Sequence, residues 1–273
     1  MLRLQTALPT LMLVNACVAP QPPEITGAVA EEEFRSSLVD GDYLLRIRTP
    51  PDLDESGSYP LIIQLDPTFV GLRQFDWTAG LVSTYAASGE WPEAVVVGVD
   101  YPDPFTRERD YRPPEPPDPA FGGEGADRFY RVLRDEILPY LQDTLPVAAD
   151  RRLLVGHSNG GVFGWYTAFR HTPPEAPLFV GVLAADTGLE EVMFTYERWH
   201  AERADNLPIA LFATHALYNG AGQKIVHDAM AARLRARGYS DLRFTDELLE
   251  TDHGGAVRLS YEPGLAFLLK EAP

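Results

Sequence analysis

The chain has 273 residues, 45% hydrophobic and 23% charged, the composition of a folded domain with a substantial core rather than of a disordered segment. Its 23 Lys+Arg against 40 Asp+Glu give a formal net charge of −17, which repels phosphate backbones and anionic membrane surfaces and sets nucleic-acid binding aside. A single cysteine, Cys17, excludes an intrachain disulfide and a cysteine-built zinc site.

The first residues read as an export segment. Arg3 supplies a basic start, residues 7–14 are largely apolar, and Val14-Asn15-Ala16-Cys17 is spaced as in a bacterial lipoprotein signal, where cleavage leaves a lipidated cysteine at the new N-terminus. A plain secretory signal is the other reading. The expectation is a segment of residues 1–27, signal plus Pro-rich tether, ahead of one α/β domain of residues 28–273, exported to the periplasm or anchored through Cys17. No other stretch is long and apolar enough to span a bilayer.

Beyond the tether the pattern turns to β. Phe34–Val39 and Tyr43–Arg48 read as strands joined at Asp40-Gly41-Asp42. Six more strands are expected at Leu61–Leu65, Ala94–Val99, Arg152–Val155, Leu178–Ala184, Ile209–Ala213 and Leu242–Leu248. The middle runs are almost wholly apolar, as in parallel strands covered on both faces, so the fold class is α/β with helices on each side of the sheet. Phe129, Val132, Leu133, Ile137, Tyr140 and Leu141 form one helical face, with Pro139 placed to kink it; Val226, Met230 and Leu234 form another, ended by Gly238. The proline-rich stretch from Pro102 to Pro119 reads as an irregular loop at the C-terminal edge of the sheet, either shaping a substrate site or making a passive excursion. Gly122-Gly123-Glu124-Gly125 lacks the spacing of a phosphate-binding loop.

The chemistry centres on Gly156-His157-Ser158-Asn159-Gly160-Gly161, a G-x-S-x-G between the run Arg152–Val155 and a helical pattern. A serine on a tight strand-to-helix turn is lifted above the sheet, the flanking glycines let strand and helix approach, and the amide of Asn159 is aimed at the future oxyanion. Ser158 needs a general base. Of six histidines, His253 alone follows the last strand and precedes a final helix, inside Thr251-Asp252-His253-Gly254-Gly255, and is the candidate base; His157 faces away from the serine, His171 and His200 lie in or beside polar segments, and His227 lies within a helix.

Taken together, Tyr59-Pro60-Leu61-Ile62-Ile63-Gln64-Leu65-Asp66, Arg107-Glu108-Arg109-Asp110-Tyr111, the run from Ala126 through Tyr140 and the serine elbow resemble the esterase D-like branch of the α/β-hydrolases. That branch includes enterochelin (siderophore) esterases and S-formylglutathione hydrolases, with mycolyltransferases as relatives. The resemblance covers about residues 34–269 and implies an α/β-hydrolase fold and a serine esterase working through an acyl-enzyme. It implies oxyanion donors at the amides of Thr68 and Asn159, and neither metal nor organic cofactor. An acyltransferase of the same fold, and a catalytically weak binding protein, are the alternatives.

Two positions depart from the pattern. Pro67 stands where a glycine usually follows the strand, and residues 214–223, where the resemblance places the triad acid, contain no carboxylate. Two readings follow: a Ser158–His253 dyad, or a replacement acid, for which Asp186 is the best placed because it follows the strand ending at Ala184. Asp252 adjoins His253 and Asp228 lies in a helix, which makes both poorer candidates.

Overall fold

The computed structural model describes residues 20–68, 71–101, 104–114, 124–171 and 175–270. Cys17 with the export segment, Pro102, the end of the proline-rich stretch, and Gly122-Gly123 lie outside the described residues. All eight expected strands are present: β1 (Ala28–Ser36), β2 (Gly41–Thr49), β3 (Tyr59–Leu65), β4 (Val95–Asp100), β5 (Val147–His157), β6 (Gly181–Ala185), β7 (Ala210–Ala216) and β8 (Arg243–Leu249). They form one sheet in the order β1-β2-β4-β3-β5-β6-β7-β8. β1 and β2 are antiparallel to their neighbours and the rest run parallel, so the C-terminal ends of β3, β5, β6, β7 and β8 share one edge.

The helices are α1 (Gln74–Ala87), α2 (Pro104–Tyr111), α3 (Ala126–Val132), α4 (Leu138–Thr144), α5 (Asn159–Arg170), α6 (Val192–Ala201), α7 (Ala221–Arg237) and α8 (Gly255–Lys270). Alternation along the strands divides the core in two. Leu61, Ile63 and Leu65 of β3 face the layer that holds α3 to α7, through Phe129, Leu141, Phe163, Tyr196 and Met230. Ile62 faces α1 and α8 through Phe75, Val82, Tyr261 and Leu265. This two-sided burial explains why the middle strands read as unbroken apolar runs.

Several boundaries differ from the sequence reading. β1 begins at Ala28, six residues early, because Glu31, Glu32 and Glu33 sit on an exposed strand that no apolar alternation marks. The turn to β2 is Ser37–Asp40, earlier than Asp40–Asp42; Asp40 takes φ 49°, and Glu136 accepts the Ser37 amide at 2.9 Å. The proline-rich stretch is not wholly irregular: Pro104–Tyr111 is helix α2, whose opening proline needs no intrahelical N–H. Between α3 and α4 a π turn, Leu133–Ile137, ends two residues before Pro139, so the interruption falls near the proline that was expected to cause it. Gly238 ends α7 at φ 62°, as its position suggested.

Residues 20–27 are docked on the domain. Pro23 O lies where a Cβ on Gly80 would meet it at 2.3 Å, the Thr26 amide donates to Ser83 Oγ at 3.1 Å, and the buried Arg48 donates Nε to Thr26 O at 2.8 Å. Arg48 also donates to Ala94 O and to Glu93, both at 2.9 Å. Arg48→Met would leave two carbonyls without their donor. We expect a loss of about 1–3 kcal/mol in denaturant unfolding and faster proteolysis within residues 20–27; unchanged cleavage there would show that the segment is held by other contacts.

Candidate active site

β5 runs straight into α5, and Ser158 is the joint. Its backbone takes φ 58°, ψ −124°, a strained conformation for a residue with a Cβ. The joint is locked on both sides: the Ser158 amide donates to Ala185 O of β6 at 3.0 Å, and Ser158 O accepts the Val162 amide at 3.0 Å in the first turn of α5. The glycines are needed for the approach. A Cβ on Gly156 would meet Gly160 O at 2.3 Å, and one on Gly161 would meet Thr187 Cγ2 at 2.3 Å. The positive end of α5 and the Asn159 amide therefore stand beside the serine.

His253 lies on the turn between β8 and α8. Its Nδ1 is 2.6 Å from Asp186 Oδ2. Asp186 directly follows β6, is fully buried, and takes φ 40°, which turns its side chain toward the β7 end. Its Oδ1 accepts the Ala216 amide at 2.7 Å; its Oδ2 also accepts Asn219 Nδ2 at 2.8 Å. His215 Nδ1 stands 3.4 Å from Oδ1. The structure thus brings Asp186 and His253 together, as the relocated-acid reading required. Asp252 is used otherwise: its Oδ1 accepts the Gly255 amide at 2.8 Å, at the start of α8. Asp228 pairs with Lys224 on the surface of α7.

Ser158, Asn159 and His253 line one cleft of about 340 Å³ with Arg112, Glu190, Asn219 and Gln223; among the described residues Leu189 is the one apolar side chain in its wall. Thr68, the other residue given an oxyanion role, is not among the lining residues. It sits at the end of β3, exposed, with its hydroxyl on Asp100. Its loop is anchored by Pro67, whose ring fills the space that Gly98 leaves.

His157 faces away from the cleft, as read, but it is not idle. Its Nε2 donates to His253 O at 2.8 Å and the two rings lie 4.3 Å apart. Burial, then the neighbouring His253, pushes its pKa down from 6.5 to about 4, so it stays a neutral donor. Ring nitrogens of His157 and His253 and a carboxylate oxygen of Asp186 lie within 4.8 Å of one another, a grouping that could in principle hold a metal. The 2.6 Å contact leaves no room for an ion between Asp186 and His253, and His157 Nε2 is spent on a carbonyl, so the donor set fits a hydrogen-bonded relay better.

The sequence reading did not single out the Asp66 network under the elbow. Asp66, buried at φ 53°, accepts Nε and Nη2 of Arg107, each at 2.8 Å, and the Tyr101 hydroxyl at 2.8 Å. It lies against Gly160, and Arg107 fixes α2. From α2, Glu108 accepts Asn159 Nδ2 at 2.7 Å and Arg112 reaches the cleft. The remaining histidines are buried rather than polar surface groups: His171 and His200 pack together at 4.9 Å, and His227 stacks under His215 at 5.6 Å.

These buried histidines set a pH dependence. Burial lowers His171, like His157, from 6.5 to about 4. Between those values the unfolded chain binds protons that the folded chain refuses, so stability is full above 6.5 and is lost as pH falls toward 4. Each such histidine contributes a slope of about 1.4 kcal/mol per pH unit. Denaturant unfolding at pH 7 and 5 should show the loss, and His171→Leu should reduce it; an unchanged slope in that variant would mean that His171 protonates in the folded protein.

Among curated proteins none matches the chain in sequence. Solved structures do. The chain is similar to the BES protein from Bacillus cereus (TM-score 0.73, 21% identity, covering 92% of this chain and 99% of that one). It is also similar to an IroE-like serine hydrolase from Shewanella oneidensis (0.71, 22%, 89% and 80%) and to the siderophore hydrolase EstB from Aspergillus nidulans (0.69, 18%, 92% and 99%). At these identities the likeness is one of fold, and it is the α/β-hydrolase fold. Residues 36–211 match the Esterase family, described as "Putative esterase"; the chain belongs to that family and is a carboxylic ester hydrolase.

Proposed function

We propose that the protein hydrolyses a small-molecule ester through an acyl-enzyme, with Ser158 as nucleophile, His253 as general base and acid, and Asp186 as the triad acid. The observation that carries this reading is the 2.6 Å contact between His253 Nδ1 and the buried Asp186 carboxylate, in a cleft that Ser158 also lines. Ser158 Oγ bonds to the ester carbon as its proton passes to His253 Nε2. The imidazolium gives that proton to the departing alkoxide, leaving acyl-Ser158. Water then attacks, its proton goes to Nε2 and returns to Ser158 Oγ, and the carboxylic acid leaves. Asp186 accepts from Nδ1–H throughout, fixing that tautomer and stabilising the imidazolium. The Asn159 amide, in the first turn of α5 beside Ser158, holds the oxyanion; for the second donor the resemblance implies the Thr68 amide, since Pro67 has no N–H. The polar cleft wall favours a short or polar ester over a long acyl chain.

Ser158→Ala should lower kcat on an activated ester by about 10³-fold or more with the fold intact. It should also abolish fluorophosphonate labelling and the burst from p-nitrophenyl acetate. More than about a tenth of wild-type activity in that variant would sink the assignment.

Export with a lipid on Cys17 is the second part of the proposal, supported by the sequence of residues 1–17. Among the described residues no helix is long and apolar enough to cross a membrane. On fractionation of the natural host, wild type should partition with membranes and Cys17→Ala should not; equal solubility of both would remove any anchoring role.

A further inference from the structure

The geometry points to Asn219 as a positioning residue for Asp186, and to position 219 as a second seat from which a carboxylate can serve His253. The inference rests on the reading of Asp186 as the triad acid. Asn219 lies in the loop after β7, tied by its amide to Ala216 O at 3.0 Å. Its Nδ2 is 2.8 Å from Asp186 Oδ2 and 3.1 Å from His253 Nδ1. A carboxylate only accepts, so the amide nitrogen, not the amide oxygen, must face Asp186. His253 Nδ1–H also donates to Asp186 Oδ2. The 3.1 Å approach of Asn219 to His253 is therefore between two donors converging on one oxygen, and is not a hydrogen bond.

Two consequences follow from that convergence. Asn219 helps to hold a buried carboxylate at an oxygen shared with the imidazole. And the atom at 219 already lies at hydrogen-bond distance from Nδ1, so an acceptor there would meet the same N–H. Exchanging the two side chains, Asp186→Asn with Asn219→Asp, keeps one acceptor oxygen between two donors, with His253 Nδ1–H turning from 186 toward 219. The amide oxygen at 186 still accepts the Ala216 amide, the amide nitrogen at 186 donates to the carboxylate at 219, and that carboxylate accepts His253 Nδ1–H. Asparagine tolerates the φ of 40° at position 186 as aspartate does.

The test is a set of four variants assayed on an activated ester, with melting temperatures alongside. Asp186→Asn should lose about 10²-fold or more in kcat. The double variant Asp186→Asn/Asn219→Asp should recover at least about tenfold of that loss, a rescue that a merely structural Asn219 does not allow. Asn219→Leu should lower kcat about tenfold with KM little changed. Asn219→Asp alone places a second negative charge beside His253, so the imidazolium is stabilised and the acidic limb of kcat/KM should move to higher pH. Full activity in Asp186→Asn would overturn the triad and this inference with it. Loss there, with a folded double variant no more active than Asp186→Asn, would overturn the inference alone. If the double variant does not fold, an unmoved acidic limb in Asn219→Asp overturns it instead.

Discussion

A carboxylate is costly to bury unless donors meet both of its oxygens, and Asp186 is fully buried. What makes it tolerable is a set of donors arriving from different elements: the Ala216 amide, Asn219 Nδ2 and His253 Nδ1. Meeting that demand fixes the distance from β6 to the end of β7 and closes the loop onto α7. It also brings the turn before α8 across the sheet edge. The positive φ of Asp186 is part of the same requirement, since an ordinary extended residue there would continue β6 instead of turning the carboxylate toward β7. His157 completes the hold from beneath, fixing the main chain of His253 while staying uncharged.

A second buried carboxylate, Asp66, is handled differently. It is met by a guanidinium in a two-pronged contact, and the pair joins the end of β3 to α2. The first site is neutral-donor and acts on the imidazole; the second is an ion pair and acts on the wall of the cleft, since α2 carries both Glu108 against Asn159 and Arg112. Ser158 stands between the two, on a turn that its glycines allow and neighbouring β6 secures.

Most of the fold was legible because the signals were local and redundant. Unbroken apolar runs marked the central strands, and G-x-S-x-G marked the elbow with its direction of entry and exit. Edge strand β1 was misplaced because three consecutive glutamates carry no alternation to read, and α2 was hidden by the prolines around it. In the site, Ser158 and His253 followed from position along the chain. The acid was legible only as a choice between a dyad and Asp186, because Asp186 sits one strand away from where the resemblance puts a carboxylate, and only the register of β6 against β7 brings it under residues 216–219. Asn219 gave no signal of its own: a neutral side chain in a Tyr-Asn-Gly turn reads as turn chemistry, and its partner is 33 residues away.

The glutamates that obscured β1 matter between molecules as well as within one, where Glu31 pairs with Arg46 and Glu32 accepts the Tyr140 hydroxyl. Among the described residues β1 borders the sheet and pairs on one side alone. A second copy pairing there would bring Glu31, Glu32 and Glu33 of each chain within about one strand spacing, about 4.8 Å. Glu31 and Glu33 share one face of the strand, so like charges would meet along the new seam, with Arg46 beside Glu31 offsetting part of the repulsion. Repulsion of this kind disfavours edge-to-edge growth of the sheet, far from the cleft and at no cost to the packing that shapes it.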